Sequence, residues 1–206
     1  MANISHLFSA LVLHRLALEL PLCKKSIRPQ FAFATAALHI LSPAGLFLSA
    51  PYAEALFSLL NILGVFLYVY SYPTKDLTRH SLKDDLCLVS SGLCFGLATT
   101  IRSNGLFSGS IFALDACIWF ATLLDRTGIP ILSVATLPSQ LQSQIRSFQP
   151  RRLPATIVAG VLVGVGFLTP QYIAYQEYCS PASEDRQSWC LKYLPSISSW
   201  VQARYW

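Results

Sequence analysis

The chain has 206 residues, of which 53% are hydrophobic and 12% charged, with a net charge of +5. Soluble domains carry about 25% charged residues, so this composition excludes an ordinary soluble fold and points to a polytopic membrane protein. The positive charge sits in short clusters between apolar runs, a topology signal that argues against nucleic-acid binding.

In chain order, Met1–Leu22 is apolar but carries His6, His14, Arg15 and Glu19. It lacks a basic leader and a small-residue cleavage site, so it reads as a helix packed on other helices. Lys24, Lys25 and Arg28 follow. A second span is expected over Phe31–Ala50, interrupted at Ser42-Pro43-Ala44-Gly45, and a third over Ala53–Tyr72. Pro51 suits the first turn of the third helix, and Glu54 complements its positive end. A charged loop over Pro73–Asp85 precedes a fourth span, Leu86–Ile101. The turn Arg102-Ser103-Asn104-Gly105 leads into a fifth, Leu106–Leu124. A glutamine- and serine-rich connection, Asp125–Arg152, precedes the sixth, Leu153–Tyr175, whose small residues suit close helix packing. Gln176–Trp206 is a polar tail.

The expected fold is therefore all-α, a polytopic membrane helical bundle forming a single domain over residues 1–206. Its spans lie near 1–22, 31–50, 53–72, 86–101, 106–124 and 153–175, with a lumenal tail at 176–206. The Lys/Arg clusters at 23–30, 73–85 and 125–152 occupy alternate loops and are assigned to the cytosol. Ser42–Glu54, the RSNG turn and the tail then share the opposite side. This topology puts Met1 on the non-cytosolic side, so either the first run is inverted or a further span and loop precede it. Cys179 and Cys190 share the tail and could close a short disulfide in an oxidising lumen. The remaining four cysteines read as small buried hydrophobes.

Irregular backbone near membrane depth is tolerated where protein or a water-filled cavity satisfies it. The segment Ser42–Glu54, with its two prolines, a tyrosine and a carboxylate, is therefore a candidate substrate surface. The candidate binding residues are Ser42, Pro43, Tyr52, Glu54, Arg102, Asn104, Gln171 and Tyr172. Arg102 at a membrane boundary either snorkels or meets a lipid phosphate through paired hydrogen bonds. Glu54 either complements a helix dipole or orders a substrate. Asn104 and Gln171 could bond sugar hydroxyls, and Tyr52 and Tyr172 could stack on sugar rings. Arg151 and Arg152 read as topology determinants. The chain has no GxSxG, HExxH or P-loop motif, and its four histidines are scattered. No metal site and no nucleotide cofactor is expected.

LSPAGLFLSAPYAEALFSLL at 41–60 and TTIRSNGLFSG at 99–109 resemble the GPI mannosyltransferase 2 family, the second mannosyltransferases of GPI-anchor biosynthesis. PQYIAYQEYC, the WC at 189–190 and VQARYW at 201–206 fit the same family. The resemblance implies a GT-C-type glycosyltransferase, multi-pass in the endoplasmic-reticulum membrane. It implies dolichol-phosphate mannose as donor, a one-mannose GPI lipid as acceptor, an α-1,6 bond, and in fungi a small membrane subunit as partner. It further implies inversion at the mannosyl C1, with Arg102 stabilising the leaving phosphate. The family's probable base follows a tryptophan in its first lumenal loop. No Trp-Asp or Trp-Glu pair occurs here, so the catalytic acid is unassigned and the chain is expected to be a fragment. Two further readings are a non-catalytic membrane subunit or lipid-binding scaffold, and a small-solute transporter. The one-sided clustering of polar groups argues against the transporter.

Overall fold

Apolar runs too long to leave their backbone unpaired in lipid fold as helices, because only internal hydrogen bonding satisfies each N–H and C=O there. The structure is a computed structural model. It describes residues 2–20, 24–41, 53–72, 81–126, 152–179 and 188–191, together with 197, 200 and 204. The helices are α1 (Ala2–Glu19), α2 (Arg28–Leu41), α3 (Glu54–Tyr70), α4 (Leu82–Ile101), α5 (Ser110–Arg126) and α6 (Leu153–Cys179). Short 3-10 helices span Ser103–Gly109 and Ser188–Leu191. No strand occurs among the described residues.

Several boundaries differ from the sequence expectation. Helix α4 starts at Leu82, four residues before the expected Leu86, because Ser81 and Asp84 form a capping box. The Ser81 N–H donates to Asp84 Oδ2 at 2.9 Å, so two charged residues at 84 and 85 become the helix's first turn. The fifth span opens as the 3-10 helix before α5, and α6 continues past Tyr175 to Cys179 with Pro170 inside it. Among the described residues, three helical stretches are long and apolar enough to cross a membrane: Leu82–Ile101, Ser103–Leu124 and Leu153–Cys179. Glu54–Tyr70 is apolar but shorter.

The centre of the bundle is the α4–α6 pair, which runs parallel and closes on glycine. A Cβ on Gly166 would lie 2.2 Å from the Gly96 carbonyl oxygen, and one on Gly92 would lie 2.5 Å from Ala159 Cα. This approach lets Leu88, Phe95, Phe112, Ala155, Ala159 and Val163 form one buried cluster. Phe95 meets Phe112 edge-on at 5.8 Å and rests over Gly64 of α3. Ser91 Oγ donates to the Gly64 carbonyl at 2.7 Å, fixing antiparallel α3 against α4. Helix α1 packs on α2 and α3, and α5 packs on α6. Leu93, Leu97, Val161, Val165 and Leu168 point outward, as lipid-facing residues of a span do.

Candidate functional site

The antiparallel α3–α4 register brings the start of α3 to the end of α4. Glu54, Phe57, Asn61 and Gly64 recur at helical spacing and face the α4 side. Arg102 closes α4: its N–H reaches the Ala98 carbonyl at 3.0 Å, and its extended backbone turns the chain into the Ser103–Gly109 helix. Gly105 is required in that turn, since a Cβ there would lie 2.7 Å from Thr99 N. Its N–H returns to the Arg102 carbonyl at 2.9 Å. Ser108 Oγ hydrogen-bonds Asn61 Oδ1, which ties the turn to α3.

Arg102 Nη1 donates to Glu54 Oε1 at 3.1 Å, and the guanidinium lies 5.8 Å from the Phe57 ring centre. Beside Arg102 lies a cavity of about 400 Å³, lined among others by Thr99, Asn104, Phe167, Pro170 and Gln171. Pro170 has no N–H to give the carbonyl four residues back, at Gly166, where α6 touches α4. Gln171 Oε1 accepts the Ile197 N–H at 3.1 Å, so a residue of the tail forms part of the cavity wall. Cys179 and Cys190 form a disulfide, and the neighbouring Trp189 is buried.

Of the residues singled out in the sequence, Arg102, Asn104 and Gln171 share this cavity, with Glu54 attached through Arg102. Tyr172 does not line it. It is 62% exposed on the outer face of α6, where its hydroxyl accepts a hydrogen bond from Gln176 and it borders a separate apolar groove with Tyr175. Helical rotation of roughly 100° per residue carries the wall from Pro170 and Gln171, which line the cavity, to Tyr172, which lies on the outer side, with Gln171 bordering both. Ser42, Pro43 and Tyr52 lie outside the described residues.

The opposite end of the bundle holds a polar cluster that sequence reasoning missed. Arg152 is buried at the start of α6. Its Nη1 and Nη2 donate to the Ser71 carbonyl and Oγ at 2.9 and 2.8 Å. Its guanidinium stacks 3.8 Å from the Tyr72 ring centre, and its Nε lies 3.9 Å from Asp115 Oδ2. Tyr68 and Tyr72 both donate to Asp115 Oδ1, at 2.9 and 3.1 Å. Arg152 therefore does more than set topology: it joins α3, α5 and α6. The available signal was Asp115, an acid within the apolar run Leu106–Leu124, which calls for a cationic partner.

The family described as Mannosyltransferase (PIG-V) matches residues 1–206. Among curated proteins, the chain is 37% identical to GPI mannosyltransferase 2 of Gibberella zeae over 205 residues, covering 100% of this chain and 42% of that protein. It is 40% identical to the protein of the same name from Aspergillus fumigatus, covering 97% of this chain and 41% of that one. The Aspergillus oryzae protein of that name is 36% identical, with coverages of 100% and 43%. The chain thus spans about two fifths of the length of the curated relatives it matches. No solved structure matches it. With its family match running from the first residue to the last, the chain belongs to the PIG-V mannosyltransferase family.

Proposed function

We propose that this chain contributes the donor-phosphate end of a GPI mannosyltransferase. In that reading the chain supplies about six crossings of a longer GT-C-type protein of the endoplasmic-reticulum membrane, with the Arg102 end facing the lumen. It transfers the second mannose from dolichol-phosphate mannose to a one-mannose GPI lipid in α-1,6 linkage, without nucleotide or metal, and in fungi beside a small membrane subunit. The observation that carries the reading is Arg102, held at the end of an apolar helix beside a cavity that also presents Asn104 and Gln171. A guanidinium matches phosphate oxygens in paired hydrogen bonds, and amide side chains bond sugar hydroxyls.

As an acceptor hydroxyl attacks the mannosyl C1, the C1–O bond to phosphate breaks and negative charge develops on the leaving oxygens. Arg102 stabilises that charge where it forms. Glu54 is engaged with Arg102 and serves to order it.

The test is a chimera: the Aspergillus fumigatus relative with its matching segment replaced by this chain, expressed in cells lacking GPI mannosyltransferase 2. Restored surface display of GPI-anchored proteins is expected, with loss in Arg102→Ala. Restoration by Arg102→Ala equal to the parent's would remove the phosphate role.

A further inference from the structure

The contact between Glu54 and Arg102 is built for exchange. Glu54 engages a single terminal nitrogen, and the two side chains are 37% and 45% exposed. Ion pairs that exposed contribute little net stability. Phe57 adds a cation–π hold on the guanidinium, also weak in solvent. The second edge of the fork meets no acceptor among the described residues. Arg152 shows the alternative: buried, with both terminal nitrogens on Ser71, it has no edge to offer a ligand.

A phosphoryl group presents two oxygens at the spacing the fork matches, which one carboxylate oxygen does not. The cavity of Asn104 and Gln171 adjoins Arg102, so an incoming group has room to approach the guanidinium there. We propose that Glu54 is a displaceable counter-ion. It holds Arg102 over Phe57 while the cavity is empty and yields the guanidinium to the phosphate of a lipid-linked sugar. Glu54 is thus a positioning residue acting through Arg102, an inference that rests on the phosphate role given to Arg102 above. Two consequences follow. The carboxylate competes with the phosphate, so its neutral form lets donor bind more tightly. It also aims the guanidinium, so its loss slows transfer.

The test uses the chimeric full-length enzyme purified in detergent, a synthetic polyprenyl-phosphate mannose as donor, and steady-state kinetics with donor varied. Glu54→Gln lowers the donor KM by about two- to fivefold, the range set by an exposed pair, and lowers kcat with it. Arg102→Gln raises KM by about tenfold or more, the loss of a charge-assisted hydrogen bond. The double variant matches Arg102→Gln alone, since Glu54 then has nothing to hold. Glu54→Asp keeps the charge and holds KM within about twofold of the parent, which separates competition from a packing fault. A Glu54→Gln KM raised like that of Arg102→Gln, or single effects that add in the double variant, overturns the counter-ion role with the phosphate role intact. An Arg102→Gln enzyme with unchanged KM overturns both.

Discussion

Replacing Arg152 by Met is expected to be the most destabilising single change at the Ser71 end of the bundle. The substitution removes two hydrogen bonds to Ser71, the stacking on Tyr72, and the cation beside Asp115. Hydrogen bonds between membrane helices average only about 0.6 kcal/mol, so the two Ser71 contacts account for roughly 1 kcal/mol. The larger part is electrostatic. Asp115, only 3% exposed, would keep its two tyrosine donors but lose the cation, and breaking a buried pair costs about 3–5 kcal/mol. Arg152→Lys keeps a charge but cannot reach both Ser71 oxygens as a planar fork; a loss of about 1–2 kcal/mol is expected. The double variant Arg152→Met, Asp115→Leu leaves neither charge buried and should recover most of the single variant's loss. The assay is unfolding in mixed micelles with increasing SDS, followed by helical circular dichroism. Equal losses for the Met and Lys variants, or a double variant as unstable as the two singles summed, would refute the assignment of the energy to charge pairing.

Four further outcomes follow from packing, the disulfide and capping. Gly166→Ala should cost about 1–3 kcal/mol in the same unfolding assay, because the added methyl would sit 2.2 Å from a backbone oxygen of α4. Gly164→Ala, with nothing within 4 Å, should instead gain up to about 1 kcal/mol from helix propensity. Cys190→Ser opens a disulfide closing a sequence separation of 11 and should cost about 2–3 kcal/mol; thiol alkylation under denaturing, non-reducing conditions should leave Cys179 unlabelled in the parent and labelled in the variant. Ser81→Ala removes the capping box at the start of α4 and should cost about 1 kcal/mol, read as earlier loss of helix on heating.

Helices were the most legible feature of the sequence, since lipid leaves an apolar run no other way to pair its backbone. Loop alternation also placed Glu54, Arg102 and Gln171 at one end of the bundle, and the structure brings them there. Their pairing was not legible. Glu54 and Arg102 are separated by 48 positions, and whether their side chains meet depends on the register of α3 against α4. That register is set by Gly64 under Phe95 and by Ser91 on the Gly64 carbonyl, contacts with no periodic signature. Nor was it legible that Tyr172 borders a different groove from the Arg102 cavity, since that depends on how α6 is rotated against α4. Asp115 was overlooked because one acid barely alters the hydropathy of a 22-residue stretch.

Arg102 and Arg152 read alike in the sequence, each a cation at the edge of an apolar run, yet the structure separates them on physical grounds. Arg152 is buried in protein: a carbonyl and a hydroxyl on its fork, a ring on its face and a carboxylate 3.9 Å from its Nε. Removing any one partner strands charge in the interior, so the group is fixed and serves assembly. Arg102 has exchanged only part of its water, for one carboxylate oxygen and a ring at 5.8 Å. Its remaining donors stand at the edge of a cavity large enough for a ligand. In the proposed phosphate role, binding would desolvate a guanidinium already part stripped of water and held near its working position, which lowers the entropy lost on binding. The same side chain is therefore structural where its terminal nitrogens are bound inside the bundle and available for recognition where one edge is left open.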